Sequence, residues 1–277
     1  NLKSLNQKNI LLTPLLGCAT NYKLLINIFK DKKVNIVFHA AAYKHVPMVE
    51  INPIQGIQNN IFSTMNLCKY SYENSIEKFI LISSDKAVRP TNIMGASKRI
   101  SELIVQSFND LSNNENEVNE KKSIFSMVRF GNVLNSSGSV IPLFERQIAN
   151  GGPITLTDEN VTRYFMTIKE ATNLVLQTIS LADGGEIFLL EMGEAIKIKW
   201  VAEKMIQLNG LTLKDKNNPN GDIEIVVKGL RPGEKLYEEL LIDSKSLPTK
   251  NRFIYKANEK FFSHKTIDNF LDELKFC

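Results

Sequence analysis

A short apolar run that ends in three reactive side chains constrains the fold of this 277-residue chain most strongly. Residues 78–83 have the length and the Ile-rich composition of a buried strand. A hydroxyl, an acid and a base follow directly as Ser84, Asp85 and Lys86, and a turn at 90–92 leads into a predicted helix. Ligands bind beyond the carboxyl ends of strands in open parallel sheets, so we expect chemistry at this position.

Strand-like and helix-like stretches alternate along the rest of the chain, which is typical of α/β proteins. Further strands are predicted at 9–13, 34–39, 124–130, 184–190 and 223–227. Helices are predicted near 22–29 and at 52–68, 93–108, 174–180, 198–208 and 236–241, with loops at 109–123, 136–142 and 214–222.

Composition excludes several classes of protein. The 43% hydrophobic and 23% charged content is ordinary for a globular enzyme, and the net charge of +4 is weak. The sequence contains no basic block interleaved with aromatics, so it gives no sign of nucleic-acid binding. It contains neither an apolar run of membrane-spanning length nor a signal peptide, so no membrane contact by this chain is expected. Three scattered cysteines favour a reducing, cytoplasmic compartment. His45 has no second histidine at ligand spacing, so no metal site is expected.

Two motifs resemble those of the extended short-chain dehydrogenase/reductases, and among them the nucleotide-sugar 4,6-dehydratases of polysaccharide biosynthesis. That family carries Thr/Ser-Asp-Lys after a strand and Tyr-x-x-x-Lys at the start of the next helix. Here the triplet is Ser84-Asp85-Lys86 and the pair is Met94 and Lys98. Met in place of Tyr resembles the subfamily that acts on UDP-N-acetylglucosamine. The resemblance extends from about Leu11 to Ile242.

The resemblance implies three groups of site residues, NAD rather than NADP as cofactor, and UDP-N-acetylglucosamine or a related UDP-sugar as substrate. Catalytic positions are Ser84, Asp85, Lys86, Met94 and Lys98. Cofactor positions are Ala40, Ala41, Ala42, Asn60 and Lys98, with Asn60 expected to order the lysine. Substrate positions are Lys44, His45, Asn132, Ser139, Val140, Arg163, Arg231 and Glu234.

The implied reaction oxidises C4 of the sugar by hydride transfer to NAD, removes water across C5 and C6, and returns the hydride to C6. Lys86 resembles the base for C5 and Asp85 the acid for the departing hydroxyl. A lysine acts as a base only if its pKa, about 10.4 in water, is lowered by burial or by a cation. We expect Lys98 to supply that effect. Met94 cannot accept a proton, so Asp85 or Ser84 must also take part in the first step.

One expected motif is absent: none of the fourteen glycines forms a G-x-G-x-x-G turn. The expectation is therefore an α/β, Rossmann-like doubly wound parallel sheet that lacks its first β-α-β portion. Residues 1–130 would form this partial NAD-binding domain, joined by one strand near 187. Residues 131–277 would form a smaller α/β UDP-sugar-binding part. We expect a homo-oligomer, and a chain that alone binds NAD negligibly and is inactive.

Two alternatives remain open. One is a nucleotide-sugar epimerase or reductase of the same fold, against which the Asp85–Lys86 pair argues, because an epimerase needs no eliminating acid and base. The other is a non-catalytic UDP-sugar-binding protein, which the missing glycine-rich turn favours.

Overall fold

A six-stranded sheet forms the centre of the molecule. The computed structural model describes residues 11–30, 32–114, 122–241, 246–257 and 259–275. The strands are β1 (Ile36–His39), β2 (Lys78–Ile82), β3 (Ile124–Arg129), β8 (Ile187–Leu190), β12 (Leu247–Pro248) and β13 (Ile254–Ala257). Their order in the sheet is β1-β2-β3-β8-β13-β12. The first four strands are parallel to one another. Strand β13 pairs antiparallel with β8, and β12 pairs antiparallel with β13. The parallel-dominated sheet confirms the predicted α/β class.

Helices cover both faces of this sheet at its central strands β2, β3 and β8, which are apolar on both sides, whereas one face of β1 is exposed. Phe79 and Leu81 of β2 face one core, and Ile80 between them faces the other. The first core is closed by α1 (Tyr22–Phe29), α4 (Ser63–Glu73), α5 (Ile93–Asn114) and α9 (His264–Lys275). The second core is closed by α7 (Ile168–Leu181).

The helix predicted at 52–68 is interrupted. The chain forms α2 (Val46–Glu50) and α3 (Pro53–Ile57), and then one wide π turn at Gln58–Phe62 before α4. Wide turns of this kind are frequent at functional sites. The turn places the buried side chain of Asn60 beside the segment that follows β1.

A second, smaller layer follows β3 in the chain. Its parallel sheet consists of β5 (Ile154–Leu156), β10 (Leu213–Lys214) and β11 (Ile223–Val227), in the order β10-β11-β5. Helices α6 (Val140–Ala149) and α8 (Ile198–Leu208) pack on it around a core that includes Phe144 and Ala202. Two short pairs complete it: β4 (Asn132–Val133) with β7 (Phe165–Met166), and β6 (Thr162–Arg163) with β9 (Ile196–Lys197).

Some predicted elements are wrong. Residues 11–13 form no strand, and the rest of that prediction lies outside the described residues. Helix α6 begins inside the predicted loop 136–142. Helix α5 continues to Asn114, within the predicted loop 109–123, of which 115–121 lie outside the described residues. Among the described residues, no helix combines the length and the apolar character that a membrane crossing requires.

The helix predicted at 236–241 is also wrong, because the carbonyl groups that a helix would use are bound elsewhere. Arg163 Nη2 donates to the Lys235 carbonyl at 2.8 Å, and Arg163 Nη1 donates to the Leu236 carbonyl at 3.0 Å. The amide of Thr162 donates to the same Leu236 carbonyl at 3.2 Å. The segment is thereby held in an irregular conformation across the end of the main sheet.

Candidate active site

The triplet predicted from the sequence forms one hydrogen-bonded group at the carboxyl end of β2. Ser84 Oγ donates to Asp85 Oδ1 at 2.8 Å, and Lys86 Nζ donates to the same oxygen at 3.0 Å. A short 3₁₀ turn at Asp85–Ala87 holds the three residues together, and the Ser84 hydroxyl caps it by accepting from the Lys86 amide. Asp85 is buried, and its second oxygen Oδ2 has no hydrogen-bond partner among the described residues.

Two glycines fit closely around this turn. A β-carbon on Gly95, in the first turn of α5, would lie 2.3 Å from the Lys86 carbonyl oxygen. A β-carbon on Gly131 would lie 3.3 Å from Asp85 Oδ2. The unpartnered oxygen of Asp85 therefore faces a place where the chain carries no side chain.

Lys86 is held as a cation. Burial alone would lower the pKa of Lys86, but the Asp85 and Glu238 carboxylates outweigh burial and raise that pKa above its ordinary value. The expectation that the Lys86 pKa is lowered by Lys98 is wrong, because the cation that opposes the two carboxylates is Arg163 and its effect is smaller than theirs. Lys98 Nζ donates instead to the Ile82 carbonyl at 2.7 Å, and burial lowers the pKa of Lys98 itself from 10.5 to about 8.

The sequence prediction missed Glu238. Its Oε1 lies 3.6 Å from Lys86 Nζ and 3.9 Å from Arg163 Nε, and its side chain is buried. Burial raises the pKa of Glu238, an effect that Lys86 and Arg163 oppose and Asp85 reinforces. The only signal in the sequence is an acid within the predicted helix 236–241, with a second glutamate directly after it.

Ionic contacts connect the triplet to three of the predicted substrate residues. Arg163 Nη2 lies 3.4 Å from Glu234 Oε1, and Arg231 Nε lies 3.4 Å from Glu234 Oε2. Arg163 is buried, and two of its nitrogens donate to backbone carbonyls, so it holds the segment around 235 in place. The Arg231 side chain is 60% exposed and remains accessible to a ligand.

The segment after β1 lies beside the triplet. Ala40 and Ala41 are exposed and Ala42 is half-buried. Burial and the nearby charge of Lys86 lower the pKa of Lys44. Asn60 anchors this segment: it accepts from the Tyr43 amide at 2.7 Å and donates to the Tyr43 carbonyl at 3.0 Å.

The hydrogen bonds of the Asn60 side chain do not include the lysine that it was expected to order. Its amide nitrogen donates to the Ser97 hydroxyl at 2.9 Å, and no hydrogen bond joins it to Lys98 among the described residues. Asn60 thus connects the segment after β1 to α5. Met94, at the start of α5, is buried.

The loop before α6 approaches the same region. A β-carbon on Gly138 would lie 2.4 Å from His45 Cε1, so the loop backbone packs against the imidazole. Ser139 precedes α6, which begins at Val140, and the Ser139 hydroxyl is buried without a partner in the described chain. The half-buried Asn132 begins β4, where its amide donates to the Tyr164 carbonyl.

The sequence is similar to that of known proteins over most of its length. The family model described as polysaccharide biosynthesis protein matches residues 1–259. The chain is 44% identical over 262 residues to the capsular polysaccharide biosynthesis protein CapD of Staphylococcus aureus, covering 94% of this chain and 41% of that protein. It is 35% identical over 211 residues to the UDP-N-acetylglucosamine 4,6-dehydratase (inverting) of Campylobacter jejuni, covering 76% and 57%. It is 35% identical over 227 residues to the UDP-glucose 4-epimerase of Rickettsia rickettsii, covering 82% and 61%.

Solved structures show the same fold. Pen from Bacillus thuringiensis superposes with a TM-score of 0.78 at 32% identity, covering 98% of this chain and 84% of that one. The dTDP-glucose 4,6-dehydratase DesIV of Streptomyces venezuelae, solved with NAD and TYD, gives 0.67 at 18% identity over 81% and 69%. The fold is that of the Rossmann-fold nucleotide-sugar dehydratases and epimerases of the short-chain dehydrogenase/reductase superfamily. The chain belongs to the polysaccharide biosynthesis protein family within that class, and it spans less than two thirds of each of the three curated relatives named above.

Proposed function

We propose that this chain carries the active site of a UDP-N-acetylglucosamine 4,6-dehydratase that makes a UDP-4-keto-6-deoxy-N-acetylhexosamine for polysaccharide biosynthesis. The observation that carries the proposal is the Asp85–Lys86 pair, with Asp85 Oδ2 buried and unpartnered beside Gly131. Elimination of water needs both an acid and a base next to adjacent sugar carbons. A 4-epimerase of the same fold needs a base for the C4 hydroxyl, but no acid and base for elimination across C5 and C6.

Met94 supports an additional role for the triplet. Its thioether cannot remove the proton of the C4 hydroxyl. Asp85, whose Oδ2 accepts no hydrogen bond from the described residues, is the carboxylate available to accept that proton, and the Ser84 hydroxyl lies 2.8 Å from its other oxygen. In the proposed reaction Asp85 therefore acts at C4 first and at the C6 hydroxyl afterwards.

Cationic and polar groups around the triplet fit a nucleoside diphosphate. Arg231 offers an exposed guanidinium, whose planar fork of donors matches phosphate oxygens. Lys44 adds a second cation beside Lys86. The unpartnered Ser139 hydroxyl before α6 adds a hydrogen-bond group near His45. Asn132, Val140, Glu234 and the largely satisfied Arg163 complete the proposed set of substrate residues.

We assign a nicotinamide cofactor, NAD, to the end of the sheet beside β1. Exposed Ala40 and Ala41 leave room there for a flat ligand against the backbone, and Lys98 lies behind the triplet at the Ile82 carbonyl. NAD, when bound, would accept the hydride from C4 and return it to C6. The fourteen glycines of the sequence form no G-x-G-x-x-G turn, so only the alanines and Lys98 are assigned to it.

The reaction can be read from the mass and the isotope content of the product. We would incubate the full-length gene product with UDP-N-acetylglucosamine and NAD in D₂O. A sugar nucleotide that has lost one water and gained deuterium at C5 is the expected product. An isomer without deuterium would show an epimerase instead. UDP-sugar binding without any product would show a non-catalytic binding protein.

Variants test the roles of the pair. Asp85→Asn and Lys86→Ala should each abolish the dehydrated product and leave UDP-sugar binding nearly intact. Asp272→Asn is the matched control, because Asp272 and Lys275 form an exposed pair on α9 at 2.7 Å. Near-normal turnover in either site variant would overturn the assigned roles.

A further inference from the structure

Glu238 is buried without the contacts that a structural carboxylate requires. Its nearest cation is Lys86 Nζ at 3.6 Å from Oε1, and the next is Arg163 Nε at 3.9 Å. Oε2 is buried and has no hydrogen-bond partner among the described residues. Charge-assisted hydrogen bonds are shorter, about 2.7–2.9 Å, so neither contact satisfies the carboxylate fully.

The same molecule contains a buried carboxylate that is satisfied. Glu102 receives Arg129 Nε at 2.7 Å on one oxygen and Arg129 Nη2 at 2.7 Å on the other. A buried carboxylate that serves packing alone needs such partners, because unpaired burial is costly. Glu238 lacks them and lies next to the lysine of the proposed acid–base pair, which indicates a function at that lysine.

We propose that Glu238 is a positioning residue that exchanges a proton with Lys86 and so prepares Lys86 to act as a base. The proposal rests on the proposed dehydratase function. The Lys86 ammonium breaks one N–H bond and keeps its electron pair, and a Glu238 carboxylate oxygen forms the new O–H bond. The products are a neutral amine and a neutral carboxylic acid. The amine can then take the proton from C5 of the sugar.

The geometry favours Glu238 over Asp85 as the proton acceptor. Asp85 Oδ1 accepts from both the Ser84 hydroxyl and Lys86, and both contacts favour its ionised form. Glu238 accepts no comparable bond from the described residues, and burial raises its pKa above the ordinary value of a glutamate. Two neighbouring carboxyl groups in such different surroundings divide acid and base roles between them. The distance of 3.6 Å between Glu238 Oε1 and Lys86 Nζ can shorten when substrate binds.

Other charges face the pair and must be held constant in a test. Arg163 approaches from β6, and Lys235 lies on the same segment as Glu238, where its Nζ donates to the Val88 carbonyl at 2.8 Å. Lys44 approaches Lys86 from the segment after β1. None of these changes in the variants below.

The test compares Glu238→Gln and Glu238→Asp with Glu239→Gln in the full-length gene product. Glu239 is the matched control, because it pairs with Arg89 at 2.9 Å on the surface. In Glu238→Gln the pKa of Lys86 falls, but the acceptor at 3.6 Å is gone and the Lys86 proton must pass to solvent. We expect the loss of this internal acceptor to outweigh the lower pKa, with an unchanged KM, a kcat lower by roughly 100-fold at neutral pH and an activity that rises with pH. Glu238→Asp should restore part of the activity, and Glu239→Gln should match the unmodified protein.

A second measurement separates this proposal from the proposed function. The ε-carbon resonance of Lys86, in protein labelled with ¹³C-lysine and assigned with Lys86→Met, reports its pKa without any turnover. Glu238→Gln should lower that pKa relative to Glu239→Gln, whichever reaction the protein catalyses. An unchanged Lys86 pKa, or a kcat loss that is equal at every pH, overturns the proposal. Absence of dehydration in the unmodified protein, with the Lys86 pKa still responding to Glu238, overturns the proposed function alone and leaves the exchange pair standing.

Discussion

Arg129 on β3 and Glu102 on α5 form a fully buried two-pronged ion pair, with Nε–Oε1 and Nη2–Oε2 both at 2.7 Å. Arg129 also reaches Glu259 Oε1 at 2.6 Å. Ser83, directly before the Ser84–Lys86 triplet, donates to Glu102 Oε1 at 2.6 Å. This ion cluster therefore joins β3, α5 and the segment before α9 directly behind the proposed active site.

Removal of Arg129 should destabilise the fold strongly. Arg129→Met removes the fully buried cation and leaves Glu102 and Glu259 paired with the partly exposed Arg99. Loss of one partner of a buried ion pair costs about 3–5 kcal/mol of unfolding free energy, and because Arg99 remains we expect the lower end of that range. Lys199→Met is the control, because Lys199 meets Glu159 at 2.9 Å on the surface, where a pair is worth about 1 kcal/mol at most. Urea unfolding measures the loss of unfolding free energy in each of the two variants. Equal, small losses in the two variants would show that Arg129 contributes no more than a surface residue.

Gly95→Ala should damage the site although it improves helix propensity. The propensity gain in α5 is about 1 kcal/mol. The added β-carbon would lie 2.3 Å from the Lys86 carbonyl oxygen, a backbone atom that cannot rotate away. Steric conflict costs about 1–3 kcal/mol, so it outweighs propensity and displaces the Asp85–Lys86 turn. Asn113→Ala, on the exposed end of the same helix, is the control. Turnover and urea unfolding of both variants test the predicted damage to the site. Normal turnover in the Gly95→Ala variant would contradict the prediction.

The parts of the site that local sequence specifies were predictable, and the parts that depend on distant contacts were not. The strand at 78–82, the triplet and α5 follow from an apolar run, a turn and a helical period within about 30 residues of sequence. Glu238 is 152 positions from Lys86 in the sequence (238 − 86), and no local pattern predicts their contact. The predicted helix at 236–241 fails for the same reason. Its period is helical, but Thr162 and Arg163 bind its carbonyl groups from β6.

Met94→Leu should retain most of the activity. Met94 is buried, carries no ionisable group and takes part in no proton transfer in the proposed reaction. Leucine conserves its volume, and such exchanges usually cost less than about 1.5 kcal/mol. Steady-state kinetics should give a kcat within a few-fold of the unmodified protein. A large loss of kcat with unchanged unfolding would instead assign the sulfur a role in the reaction.

His39, the last residue of β1, should make the fold sensitive to mild acid. Its Nε2 lies 3.0 Å from the Thr64 hydroxyl, and burial, with the nearby charge of Lys98, lowers the pKa of His39 from 6.5 to about 3. Between these two values the unfolded chain binds a proton that the native state does not, so stability falls as the pH falls through 6.5 and continues to fall toward 3. His39→Asn keeps a polar side chain there and does not titrate. Between pH 7 and pH 5 the unmodified protein should lose about 2 kcal/mol more unfolding free energy than the variant. Any constant cost of the substitution cancels in this difference. Parallel pH dependences of urea unfolding for the two proteins would show that His39 is protonated in the native state.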